Sequence, residues 1–296
     1  MLLPVLAVAA APLVIGHRGS PGVLPDHVLE GYALAVEQGA DAIEPDLVIT
    51  KDGVLVARHE NELSATTDVA ERFPGRRRDA VIDGEPVTGW FAEDFTLAEI
   101  KTLRARQPWP DRPHDHDGRY AIPTFDEVLA LADRLGRERG RPVIVVPETK
   151  HPTYFRSIGL PLEPPLIRSL RRHGRARDGV VLQSFELTSL ETLGAALPLP
   201  RILLVGDTVP PLAELRAKVE GIGVPRELVW GAEGPTGLVP DAHAAGLLVY
   251  VYTFRAERPG PAGDGDPVKE LAAFLALGVD GVFCDQPDLA VRARGK

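Results

Sequence analysis

The chain has 296 residues, 44% of them hydrophobic and 25% charged, and a net charge of −9. That length holds one large domain or two small ones, and the hydrophobic content excludes global disorder. The acid excess argues against a basic nucleic-acid-binding face, and a single cysteine, Cys284, allows neither an internal disulfide nor a Cys-rich zinc site.

Residues 1–11, MLLPVLAVAAA, are apolar and too short to span a bilayer. Ala7-Val8-Ala9 matches the A-x-A cleavage site of a secretory signal, although the basic n-region is missing. A signal-peptide remnant and a periplasmic or secreted address are expected. The alternative is a cytoplasmic protein in which these residues lead into the first strand.

Eight short apolar runs follow: Leu13–Ile15, Ala42–Ile49, Pro142–Val146, Val180–Leu182, Arg201–Val205, Leu228–Trp230, Leu247–Tyr252 and Gly281–Phe283. Amphipathic stretches lie between them, at Val28–Glu37, Thr124–Leu135, Pro165–His173, Leu187–Leu197, Leu212–Glu220 and Pro267–Leu277. Runs rich in Val, Ile and Leu without clean alternation suit a parallel sheet buried on both faces. Eight such units predict a (β/α)₈ TIM barrel, an α/β fold, with a doubly wound open sheet as the alternative. No dinucleotide fingerprint or Walker loop is present. From Glu60 to Pro123 the alternation stops. A structureless loop of that length is unusual, so residues 60–123 are read as an ordered insertion after strand 2. It lies over the barrel mouth and carries one helix at Leu97–Leu103. Residues 12–296 then form a single domain.

In such a barrel the reactive groups stand at the C-terminal ends of the strands. Glu44 and Asp46 are two apart on a strand and share one face. With Glu148 they make an all-oxygen set suited to Ca²⁺ or Mg²⁺, because a hard cation relieves the repulsion of converging carboxylates. The bland alternative is exposed carboxylates at a strand edge, which Pro45 favours. His17 and His59 are candidate general acid and base. Arg18 and Lys150 are candidate phosphate binders through charge-assisted hydrogen bonds. His114-Asp115-His116-Asp117 resembles a metal site in isolation but sits in a turn-rich loop, where solvation is expected. Serine chemistry lacks a G-x-S-x-G elbow. A glycosidase reading of the carboxylates leaves His17, Arg18 and Lys150 without roles.

IGHRGSPGVLPDHVLEGYALAVEQGADAIEPDLVITKDGVLVARHE (Ile15–Glu60) resembles the glycerophosphodiester phosphodiesterase family, most closely its periplasmic or secreted bacterial branch. TTDVAERFP, IPTFDEVL, PETK, QSF and YTFR follow in family order. The resemblance implies a (β/α)₈ barrel that hydrolyses glycerophosphodiesters to an alcohol and sn-glycerol 3-phosphate. It implies His17 and His59 as catalytic, Arg18 and Lys150 as phosphate-binding, and Glu44, Asp46 and Glu148 as metal ligands. Ca²⁺ is implied ahead of Mg²⁺. It also implies a small-molecule substrate, no nucleic-acid partner and no stable membrane insertion. The glycerol 2-hydroxyl is implied as the nucleophile, through a cyclic phosphate. The chain departs from the family in carrying Glu60 where Asp usually follows the second histidine, and Val28 where Thr usually follows His27. Glu keeps the charge and reaches further. Two rivals are a binding module that does not turn over its ligand and a relative that acts on phospholipid head groups.

Overall fold

The computed structural model describes residues 11–295, so all but Ala11 of the leader-like stretch lies outside the described residues. The barrel strands are β1 (Leu13–His17), β2 (Ala42–Glu44 and Asp46–Ile49), β3 (Ile144–Val145 and Glu148–Thr149), β4 (Leu182–Ser184), β5 (Arg201–Leu204), β6 (Gly221–Pro225), β7 (Leu248–Phe254) and β8 (Gly281–Cys284). Each pairs in parallel with the next. β8 then pairs with β1 from Leu13↔Gly281 to Gly16↔Cys284, so the ladder returns on itself. This is a TIM-barrel-like fold.

Helices α1 (Leu29–Glu37), α2 (Phe125–Glu138), α3 (Glu163–Arg172), α4 (Leu187–Ala196), α5 (Leu212–Leu215), α6 (Leu238–Ala244), α7 (Pro267–Ala276) and α8 (Pro287–Arg294) follow the strands in turn. The core divides accordingly. Ile15, Ala42, Val146, Val181, Ile202, Tyr250 and Phe283 fill the barrel interior. A larger cluster, including Val14, Ile43, Val128, Leu190 and Phe274, packs strands against helices. Burying both strand faces is why the runs read as continuously apolar. Among the described residues no helix is long and apolar enough to cross a membrane.

Prolines break β2 at Pro45 and β3 at Pro147. Proline has no N–H to donate to a ladder, yet both carbonyls still accept: Glu148 N donates to Pro45 O at 3.0 Å and Gln183 N to Pro147 O at 3.1 Å. The breaks leave the strands in register and lie beside the site carboxylates. Past β2 the chain turns at Lys51-Asp52-Gly53, and Leu55–Ala57 runs back antiparallel along Asp46–Ile49.

Several elements differ from those the sequence predicts. The sixth strand is Gly221–Pro225, and the expected Leu228–Trp230 instead falls across the end of a helical turn, Arg226–Val229, and the start of a two-residue strand, Trp230–Gly231. The true strand lacks an apolar run because the barrel has no room for side chains there. A Cβ on Gly221 would stand 2.7 Å from the Leu248 carbonyl oxygen, and one on Gly223 would stand 2.4 Å from Leu204 Cδ2. The fourth strand begins at Leu182, with Val180 making only an isolated bridge to Val145. The helix expected at Leu97–Leu103 spans only Leu97–Ile100, opened by a Thr96–Glu99 capping box. The stretch expected at Leu212–Glu220 is helical only to Leu215.

Residues 60–123 hold more regular structure than expected. They include a short helix, Val69–Arg72, and an antiparallel hairpin of Arg78–Ile82 with Glu85–Gly89. The hairpin is largely exposed, so neither strand needs the apolar run that marks a barrel strand. The segment also reaches the strand-end loops: Gln107 Nε2 donates to the Pro21 carbonyl at 2.9 Å.

Candidate active site

The C-terminal ends of the strands deliver their side chains to one cavity of about 320 Å³, lined by His17, Arg18, Glu44, His59, Glu148, Gln183, Phe185, Tyr252 and Arg255 among others. Glu44 and Asp46 alternate past Pro45 and so share the inward face, as do Glu148 and Lys150 one strand over. Ligand oxygens of Glu44, Asp46 and Glu148 all lie within 4.8 Å of one another, and the three residues are buried.

Bringing buried carboxylates so close is unfavourable without compensation. Burial, Asp46 and Glu148 push the Glu44 carboxyl well above the carboxylate range. Burial pushes Glu148 up to about 8, against the opposing pull of Lys150. Burial would raise Asp46 too, but the His27 hydrogen bond, with His59 and Lys150, holds it well below its ordinary value. Asp46 Oδ1 is buried with no hydrogen-bond partner. A hard divalent cation fits this donor set, since it would take up the orphaned oxygen and offset the repulsion. The strand-edge alternative suggested by Pro45 does not describe these buried groups.

Basic groups frame the carboxylates. Arg18 N donates to Glu44 Oε2 at 2.8 Å, and Arg18 Nη1 donates to Asp26 Oδ2 at 3.1 Å. Lys150 Nζ stands 3.0 Å from Glu148 Oε1 and 3.2 Å from His59 Nε2.

Both histidines are oriented through Nδ1. His17 Nδ1 donates to Asp285 Oδ1 at 2.6 Å, and His59 Nδ1 donates to Glu60 Oε1 at 2.8 Å. Burial and Arg18 lower the His17 pKa, while Asp285 opposes them. Burial, Arg18 and Lys150 lower His59 to about 4. Both rings are therefore neutral at pH 7 and carry a lone pair on Nε2.

Several residues without a marked role in the sequence complete the site. Asp285 follows β8, a strand-end position that could have marked it. Burial would raise its carboxyl, but His17, Arg255 and Arg112 hold it below the usual range. His27 is fully buried between Asp46 (Nε2–Oδ2, 3.0 Å) and the Tyr32 hydroxyl (Nδ1–O, 2.7 Å). Gln183, within the QSF match, donates to Glu44 Oε1 at 3.0 Å. Arg112 comes from residues 60–123 and pairs with both Asp285 and Glu257, and nothing local in the sequence marks it. The His114–Asp117 run stays outside the cavity: His114 pairs with Asp117 at 2.8 Å, and His116 stacks on Tyr120. Cys284 is buried, and burial pushes its thiol up, so it is inert.

A profile of the Glycerophosphoryl diester phosphodiesterase family matches residues 17–289. A glycerophosphodiester phosphodiesterase of Arabidopsis thaliana is 33% identical over 314 residues, covering 93% of this chain and 83% of that protein. One of Bacillus subtilis is 30% identical over 293 residues, covering 94% and 84%. An Oleispira antarctica phosphodiesterase, solved in complex with the product sn-glycerol-3-phosphate, shares the fold. Its TM-score is 0.70 at 22% identity, covering 97% of this chain and 98% of that one. The family match spans the barrel from His17 to beyond Asp285, and the chain belongs to the Glycerophosphoryl diester phosphodiesterase family.

Proposed function

We propose that this protein is a glycerophosphodiester phosphodiesterase. It hydrolyses glycerophosphodiesters to an alcohol and sn-glycerol 3-phosphate, with His17 and His59 as acid and base. The carrying observation is one cavity lined by His17, Arg18, Glu44, His59 and Glu148, with Asp46 grouped with the two lining carboxylates and Lys150 in contact with Glu148 and His59. The names of the relatives and the product held by the Oleispira antarctica phosphodiesterase support the substrate class.

Glu44, Asp46 and Glu148 would hold the cation, Ca²⁺ ahead of Mg²⁺, and when bound it supplies charge neutralisation at the phosphate oxygens. Arg18 and Lys150 add fixed positive charge for the phosphate. One histidine takes the proton of the attacking hydroxyl at Nε2, and the other, having first taken up a proton from solvent at its own Nε2, gives it to the leaving alcohol. Asp285 and Glu60 hold the rings for that exchange. Residues 60–123 act as an insertion that closes the mouth over the glycerol, a reading supported by the reach of Arg112 and Gln107. The leader-like stretch and the branch resemblance support a periplasmic or secreted address, which cell fractionation tests.

The deciding assay incubates purified protein with glycerophosphocholine and, separately, with a choline phospholipid, under Ca²⁺, Mg²⁺ or chelator. Glycerol 3-phosphate release from the first, with Ca²⁺ and without chelator, is expected. Release from neither under any metal condition would leave a binding module as the better reading.

A further inference from the structure

The two site histidines are backed by carboxylates that are themselves held differently. Asp285 is buried and paired by Arg112 and Arg255. Glu60 has a half-exposed side chain, and its second oxygen meets a histidine instead: His151 Nε2 lies 3.0 Å from Glu60 Oε2. The other ring nitrogen, His151 Nδ1, lies 2.5 Å from Asp83 Oδ2. Ionised carboxylates only accept, so both nitrogens of His151 carry protons and the ring bridges two anions as an imidazolium. Hydrogen bonds to Glu60 and Asp83 raise its pKa against the effect of burial.

The same short segment addresses both sides of His59. Lys150, a pure donor, faces His59 Nε2, while its neighbour His151 works on the opposite side through Glu60. The backbone is shaped for this. His151 is a non-glycine residue at φ 47°, directly before Pro152, in the left-handed region that side chains rarely adopt. Asp83 forms the tip of the hairpin in residues 60–123, with φ 51° there and 89° at Gly84, the pattern of a type I′ turn. The hairpin tip thus reaches the loop after β3.

We infer that His151, anchored by Asp83, is a positioning residue for His59. It fixes the longer Glu60 arm so that His59 keeps its proton on Nδ1 and presents Nε2 to the reacting oxygen. Glu has one more rotatable bond than Asp, and a cation on its second oxygen removes that freedom. The inference rests on the reading of His59 as an acid/base group.

The test compares H151N, D83N, E60Q and the E60Q/H151N double variant with the parent. Asn is chosen because it tolerates the left-handed backbone and is too short to bridge both carboxylates. With glycerophosphocholine and saturating divalent cation, H151N is expected to lower kcat by about tenfold with KM little changed, and D83N to act in the same direction. In the E60Q background the His151 replacement should have no further effect, because it acts only through Glu60. Imidazole ¹⁵N shifts provide a readout that needs no turnover. His59 should hold its proton on Nδ1 in the parent and share it with Nε2 in H151N. An unchanged His59 tautomer in H151N overturns the inference, as does an equal loss of kcat in both backgrounds. A parent without hydrolysis overturns the functional reading instead, and the ¹⁵N shifts still decide the positioning role.

Discussion

Asp285 Oδ1 lies 2.6 Å from His17 Nδ1, although 268 positions separate them in the chain. They meet because β8 pairs with β1 and places Cys284 opposite Gly16, one residue before each partner. Barrel closure therefore creates the orienting contact.

Replacing Asp285 tests that contact. In Asp285→Asn the amide N–H can donate to Nδ1, which favours the wrong tautomer and moves the proton to Nε2. We expect kcat to fall by about 10²–10⁴, and the melting temperature to fall as well, because the buried Arg112 and the part-buried Arg255 lose their shared counter-ion. Steady-state kinetics beside a melting curve would show it, and near-parental turnover would remove Asp285 from the mechanism.

His17→Ala and His59→Ala should each lower kcat by about 10²–10⁴ if the rings act as acid and base. Substrate binding is expected to survive in both, because Arg18 and Lys150 remain. Calorimetric titration of a substrate analogue separates the two effects.

Cation binding should release protons near neutral pH. Burial pushes Glu148 up to about 8, so without a cation its carboxyl is largely protonated at pH 7. A cation favours the ionised form and displaces that proton. Calorimetric titration of Ca²⁺ in buffers of different ionisation heat measures the release. The sign for stability follows from the same shift. Glu148 keeps a proton in the cation-free folded state that the unfolded chain gives up above 4.5, so its contribution to stability falls as pH rises toward about 8. The buried His17, His27 and His59, lowered from 6.5, act with the opposite sign below that value, so the fall is read in the window between about 6.5 and 8. Saturating Ca²⁺ should flatten the fall, and melting curves across the window that decline equally with and without Ca²⁺ would refute it.

Gly221→Ala should destabilise the barrel. The added Cβ would stand 2.7 Å from the Leu248 backbone oxygen and 2.8 Å from Ile202 Cδ1. A backbone atom in a central ladder cannot step aside cheaply, so a loss of about 1–3 kcal/mol is expected in urea unfolding. A variant as stable as the parent would mean that β6 can shift outward.

The barrel was legible where a local pattern reports burial. β1, β2, β5, β7 and β8 stand where apolar runs predict them, because a strand covered on both faces has little choice of side chain. Glu44 and Asp46 were legible for a similar reason: a spacing of two on an extended chain puts both on one face. β6 was hidden because close approach of neighbouring strands requires glycine, which erases the apolar signal. The hairpin carrying Asp83 was hidden because exposed strands need no such signal.

By itself the sequence determined the strand–helix alternation, the inward-facing carboxylates, and the histidines and cations at the strand ends. All of these depend on short-range periodicity. Only the tertiary structure decided what stands behind each catalytic candidate: Asp285 behind His17, Arg112 against Asp285, His27 against Asp46, and His151 with Asp83 behind Glu60. Those contacts join distant segments at 2.5–3.0 Å. No local spacing encodes them, because a hydrogen bond acts over a few ångströms of space regardless of how far apart its partners lie in the chain.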